Sequence, residues 1–148
     1  MESIWDRVRY NPALGETSRW DFHEYVPQVV VIALGQNDSH PVDFMADDYC
    51  SEQSANWRAE YAVLIARLRE RYPDAHIICT TTLLQHDASW DRAIDEVVSN
   101  LDDPQVTHFA YSRAGTATPG HLRIAEDEEM ARELTAYIES FGEELWEN

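Results

Sequence analysis

Side chains able to do acid–base, nucleophilic or hydrogen-bond-donor chemistry gather in two places of this sequence. Asn37, within Gly35-Gln36-Asn37-Asp38-Ser39, carries an amide N–H able to stabilise a developing oxyanion. Asp38 beside it offers a carboxylate that can orient backbone, substrate or water. His121 closes the run Gly115-Thr116-Ala117-Thr118-Pro119-Gly120-His121 and supplies a base that works near neutral pH. Among the six histidines it is the one set between a strand, a Gly-rich turn and a helix. Ser39, two residues after Asn37, is a hydroxyl that could act as nucleophile if it came near His121. Each residue also has a purely structural reading: Asn and Asp favour turns and caps, and a His in a turn can be a surface residue.

The elements around these residues decide whether they meet. Val29-Val30-Val31-Ile32-Ala33-Leu34 is an unbroken apolar run that stops at Gly35. Such a run without polar alternation predicts a strand covered on both faces, as in the parallel sheets of α/β folds. Ligands of these sheets bind beyond the carboxyl ends of the strands, where Asn37 and Asp38 fall. Ala75 to Leu84, with β-branched Thr80, Thr81 and Thr82, predicts a second strand, and Val106 to Tyr111 a third. Between them, Ser54 is placed to cap a helix whose Trp57, Tyr61, Leu64, Ile65, Leu68 and Tyr72 share one face and which Pro73 ends. Asp87 or Ser89 starts another, with Ile94, Val97 and Leu101 inward. A last helix covers 126–141, with Glu126 to Glu129 at its positive end. The order predicts about three parallel strands with helices on both faces. Ile4, Trp5 and Val8 have helical spacing and predict a short first helix, broken by Asn11-Pro12 and Gly15. His86 and Trp90 follow the second strand, on the rim of Asn37 and His121. An indole face can bind a sugar ring, although Trp90 also has the spacing of a core residue. Gly35, Trp90 and His86 form the candidate substrate-binding set.

With 148 residues the chain predicts a single domain over 1–148, able to bury roughly two-thirds of its unfolded surface. Twenty-eight acidic residues against eleven Lys and Arg give a net charge of −17, which argues against nucleic acid or an anionic membrane as partner. No secretory apolar region follows Met1 and no apolar stretch reaches about 18 residues, so a soluble, cytoplasmic protein without a visible export signal is expected. Cys50 and Cys79 lack metal spacing and are expected as free thiols. Asp43, Asp47, Asp48 and Glu52 lack the alternation of a calcium loop, so they are expected to be a solvated stretch, with neither metal nor cofactor.

Gly-x-Asn-Asp at the end of a buried strand resembles the third motif of the SGNH hydrolases, a group of esterases and lipases. The segment ending at His121, with Glu129-Met130-Ala131-Arg132-Glu133-Leu134 in the helix after it, is similar to their last motif. His40-Pro41, Asp43-Phe44-Met45, Trp57-Arg58, Thr80-Thr81-Thr82 and His86-Asp87 resemble the acetylesterases of carbohydrate esterase family 2. The resemblance implies a flavodoxin-like three-layer fold and removal of O-acetyl or other short acyl esters from carbohydrate. It implies Asn37 as oxyanion donor and His121 as general base. The chain departs from the pattern in two ways. The family's nucleophile lies in Gly-Asp-Ser, which Met1 to Gln28 does not contain, and that stretch is too short for another βαβ unit of about 30 residues. The chain therefore looks like a truncated SGNH domain. Thr118 stands where many members carry an Asp, though family 2 is implied to manage with a Ser–His pair. Three outcomes follow: Ser39 as substitute nucleophile, His121 activating water, or an inactive domain that binds sugar or another subunit. Loss of a neighbouring strand would leave 29–34 as an apolar edge, so a homodimer through that strand is expected.

Overall fold

The computed structural model describes residues 4–113 and 121–147. Three parallel strands, β3 (Val29–Ala33), β4 (His76–Thr80) and β5 (Val106–Phe109), follow a hairpin of β1 (Arg7–Asn11) and β2 (Glu16–Arg19). They lie in the order β3-β4-β5, with Val29 opposite His76 and Ile77 opposite Val106. Four helices accompany them: α1 (Phe44–Asp47), α2 (Glu52–Arg71), α3 (Ala88–Ser99) and α4 (Ile124–Glu139). The parallel sheet with helices on both faces is the α/β architecture expected from the apolar runs.

Alternation along the strands sorts the two faces. Ile32, Ile77, Cys79 and Val106 pack with Tyr61, Leu64 and Ile65 of α2 and with Ile94 and Val97 of α3. On the opposite face the His76 ring lies 4.0 Å from Phe141, and Phe109 stacks on Tyr137 of α4 at 4.6 Å. Every residue of β4 is buried, which is why its sequence shows no polar alternation. β3 departs from the cover on both faces that its apolar run predicts: among the described residues Val31 is left 42% exposed, as an outer strand of the sheet allows. Among the described residues no helix is long and apolar enough to cross a membrane.

Polar side chains fix the joints. Ser51 rather than Ser54 caps α2, accepting from the Ser54 amide at 3.2 Å. Ser54 is buried, its hydroxyl 2.7 Å from the Asp48 carbonyl. Asp87 caps α3 through the Ser89 amide at 2.9 Å. Arg69 closes the α2–β4 turn by donating to the carbonyls of Tyr72, Pro73 and Ala75 while pairing with Asp103 at 2.9 Å.

Among the described residues of the first ten, 4–10, the expected helix does not form. β1 pairs antiparallel with β2, because the Asn11-Pro12 and Gly15 breakers make a hairpin connection instead of a helix stop. Trp5 packs on Phe22 at 5.2 Å, and Phe22 on Tyr72 at 5.8 Å, which anchors this segment to the end of α2. The second strand ends at Thr80, short of the expected Leu84, since residues beyond it turn their hydrogen bonds toward Gln36 and Asp91.

Gly35 ends β3 at φ 120°, a conformation that side chains disfavour. A Cβ there would sit 3.0 Å from Trp90 Cε3 and 3.3 Å from Trp57 Cζ2. The strand can turn sharply here only because nothing occupies that space. Gly35→Ala is expected to lower stability by about 1–3 kcal/mol from backbone strain alone. A urea melt of this variant with an unchanged midpoint would show that the turn relaxes freely.

Candidate active site

After Gly35 the chain enters a single tight turn, Gln36–Ser39. Its backbone is closed by the Asp38 amide donating to the Gly35 carbonyl at 2.9 Å and the His40 amide to the Asn37 carbonyl at 3.2 Å. The Ser39 hydroxyl donates to the Gln36 carbonyl at 2.6 Å. With the turn thus satisfied internally, the side chains of Asn37 and Asp38 are exposed. Both open on a cavity of about 920 Å³ at the carboxyl end of β3. His121, just ahead of α4, lines the same cavity. Asn37, Asp38, Gly35 and His121 are therefore brought to one site. Residues 114–120, which include the Gly115–Gly120 run and Thr118, lie outside the described residues.

Leu34, Trp57, Tyr61, Leu64 and Leu122 make the apolar wall, and Gln85, Glu60 and Asp127 add polar groups. Trp57, which periodicity assigns only to packing, lines this cavity. Its ring is held by stacking on Tyr61 at 4.9 Å and by an edge contact with Trp90 at 5.2 Å. Its place in the first turns of α2, beside the carboxyl end of β3, was the available signal. Glu126 fixes the start of α4 behind His121 by accepting from the Arg123 amide at 2.8 Å.

Two expected substrate contacts are corrected. Trp90 is fully buried, with Nε1 donating to the Asp43 carboxylate at 2.9 Å and its ring enclosed by Phe44, Trp57, Met45 and Ala93. Its face cannot receive a sugar. The His86 side chain has no exposure and bonds to Asp91 at 2.9 Å and to the Leu84 carbonyl at 2.6 Å. Both ring nitrogens are occupied, so it has none to offer a ligand. Ser39 is also buried, its hydroxyl 2.9 Å from His40 Nδ1. It lines a neighbouring cavity of about 520 Å³ rather than the one that holds His121.

The acidic loop has local structural partners. Asp43 caps α1 through the Ala46 amide at 3.2 Å, and Asp48 accepts from the Cys50 amide at 3.0 Å. Among the described residues no group of three His, Cys, Asp or Glu side chains is placed to hold a metal ion. Cys50 and Cys79 are unpaired as expected, and burial pushes the Cys79 thiol up to about 12, which keeps it protonated and unreactive.

What this arrangement offers is a solvent-reachable imidazole and an exposed side-chain amide lining one open cavity, together with aromatic side chains. No family model matches the chain. Cellulase/esterase CelE of Acetivibrio thermocellus is 33% identical over 93% of this chain, which spans 17% of that protein. The structure of a family two carbohydrate esterase from Clostridium thermocellum, in complex with cellohexaose, superposes with a TM-score of 0.69 at 33% identity, over 93% of this chain and 42% of that one. A family two carbohydrate esterase from Cellvibrio japonicus gives a TM-score of 0.71 at 25% identity, over 85% of this chain and 36% of that one. In sequence and in fold the chain is a relative of the family two carbohydrate esterases of the SGNH class, spanning less than half the length of those it matches.

Proposed function

We propose that this chain takes part in hydrolysing O-acetyl or other short acyl esters of carbohydrate, with His121 as general base and Asn37 as oxyanion donor. The observation that carries the proposal is that these two residues, 84 positions apart in sequence, line one open cavity at the carboxyl end of β3. In this reading His121 takes a proton from the attacking hydroxyl or water as it bonds to the acyl carbon. The Asn37 side-chain N–H meets the negative charge that develops on the carbonyl oxygen, and the alcohol leaves with a proton returned by the imidazole. With the Ser39 proton already engaged by a backbone carbonyl, water activated directly by His121 is the simpler route. Asp38 orients that water or the substrate from the same turn, while Trp57 supplies the apolar face for a sugar ring. Similarity to an esterase solved with a cello-oligosaccharide supports carbohydrate as the ligand class.

The experiment is hydrolysis of p-nitrophenyl acetate and of acetylated xylo-oligosaccharides by wild type and two variants. His121→Ala is expected to lose about 100-fold or more in rate, and Asn37→Ala about 100- to 1000-fold. Wild-type rates in both variants would remove these roles. An inactive wild type would instead favour a non-catalytic module that binds sugar or another subunit, and calorimetric titration with the same oligosaccharides separates those two.

One observation favours association between copies. β3 is paired with β4, and among the described residues no strand pairs with its other edge. That edge is uncharged from Val29 to Ala33, with Val31 exposed at its middle. We propose a homodimer in which two β3 edges meet about a two-fold axis, apolar side chains opposite their copies. Ala33 and Leu34 line the large cavity, so the partner copy would also wall the site. Two chains of charge −17 repel, so added salt should strengthen the dimer. Light scattering at tens of micromolar is expected to give about 34 kDa, twice the 17.1 kDa chain, and Val31→Lys is expected to give monomer. A wild-type monomer at both low and high salt would rule the dimer out.

A further inference from the structure

Behind the turn that carries Asn37, hydrogen bonds join three segments: the turn itself, the stretch after β4, and the first turn of α3. Gln36 Nε2 donates to the carbonyls of Thr82 at 3.1 Å and Leu84 at 3.2 Å. Gln36 Oε1 accepts from Thr82 Oγ1 at 2.8 Å, and the Leu84 amide donates to that same Oγ1 at 3.2 Å. His86 takes up the Leu84 carbonyl from the other side, Nδ1 lying 2.6 Å away. Its Nε2 lies 2.9 Å from Asp91 Oδ2, and Asp91 Oδ1 accepts from Thr81 Oγ1 at 2.8 Å.

Of the three groups within hydrogen-bond distance of the His86 ring, the Leu84 carbonyl and the Asp91 carboxylate accept, and Gln36 Nε2 directs its two protons to the carbonyls of Thr82 and Leu84. A carbonyl has no proton to give, so Nδ1 must carry one at 2.6 Å; an unprotonated Nδ1 would set two lone pairs against each other. Asp91, already accepting on its other oxygen, requires a proton on Nε2 as well. Gln36 Nε2, 3.2 Å from Nδ1, is then a second donor converging on the Leu84 carbonyl. This geometry favours the imidazolium form of His86, whose side chain has no exposed surface.

We infer that the buried His86–Asp91 pair is a positioning device for Asn37: it fixes the Leu84 carbonyl, which with Thr82 fixes Gln36 and so the turn that aims the Asn37 amide. The inference rests on the proposed role of Asn37 and extends it to residues that do not touch substrate.

The groups facing His86 favour its charge. Asp91 and Asp87 approach from the start of α3, and His40 and Asp43 line the small cavity beside it. His108 of β5 acts on Asp91 from the far side and is itself 3.3 Å from Asp95. Burial opposes the imidazolium, but hydrogen bonds to Asp91 and Leu84 and the nearby carboxylates outweigh it and raise the His86 pKa. Burial likewise opposes the Asp91 carboxylate, which His86 and Thr81 outweigh, lowering its pKa. The His86 contribution is therefore complete below its ordinary value of about 6.5 and lost as pH rises through the raised one. The Asp91 contribution is complete above about 4 and lost as pH falls through the lowered value.

Nitrogen-detected NMR of the histidine rings tests the charge state, with His86→Gln identifying the signal. Both His86 nitrogens are expected to be protonated at pH 7, and a neutral single tautomer at that pH would overturn the clamp. Asp91→Asn tests the positioning, with a thermal melt to verify folding. The expected result is at least about a ten-fold fall in kcat on p-nitrophenyl acetate with KM within about two-fold. The alkaline loss of activity that follows His86 titration in wild type should also vanish. An unchanged kcat and pH profile would overturn the inference. If wild type hydrolyses no ester, the proposed function fails by itself and amide exchange decides the positioning. The Asp38 and His40 amides should exchange at least about ten-fold faster in Asp91→Asn while those of β4 do not change, and equal protection in both proteins would overturn it.

Discussion

Complete burial of β4 is the constraint on which the rest of the structure depends. His76 to Thr80 has a strand on each side, α2 and α3 over one face and α4 over the other. With both its edges occupied, its backbone groups find partners in β3 and β5, as a strand withdrawn from water requires. Each neighbouring element is placed by what it must cover. α2 and α3 meet over Ile77 and Cys79, α4 is held by Tyr137 against Phe109, and Phe141 just beyond α4 packs on His76. The carboxyl ends of β3 and β4 then lie side by side. Hence a turn after Ala33 and a loop after Thr80 can exchange hydrogen bonds although 46 residues separate Gln36 from Thr82.

Much of this order is legible from residue types. The apolar run at 75–80 lacks alternation because β4 is covered on both faces, whereas the equally apolar run at 29–34 is buried mainly at Ile32 and leaves Val31 exposed. The helix faces read at the 3.6-residue period because one stripe of each is buried. Where the reading failed, competing partners decided. Thr81 and Thr82 have strand-like side chains, yet their hydroxyls serve Asp91 and Gln36, which takes the chain out of the sheet. Trp57 and Trp90 stand at comparable places near the start of their helices. Phe44 and Met45 of α1 cover Trp90 and leave Trp57 on the cavity wall, a tertiary difference that no period within a helix reports. His86 after a strand looks like a rim ligand until Asp91, one helical turn into α3, is recognised as its counter-ion.

The candidate site joins rigid and open parts. The Asn37 turn is enclosed by Gly35 against two tryptophans and by Gln36 against the β4 loop, so its backbone has few alternatives. His121 stands exposed, three residues ahead of α4. An oxyanion donor benefits from being fixed before charge develops, whereas a base that must accept and return a proton benefits from contact with solvent. The two environments match the two proposed roles.

The carboxylates of Asp38, Glu60 and Asp127 around the cavity give the site a polarity with a kinetic consequence. In the proposed reaction an ester would arrive uncharged, but the acid released from it would ionise at neutral pH and become an anion beside these carboxylates. The chain as a whole, at −17, adds to the same field. Product would thus be expelled by electrostatic repulsion while the neutral sugar face of the substrate is untouched, so accumulating acetate would inhibit weakly. Substrates bearing uronate groups would meet the same barrier on entry.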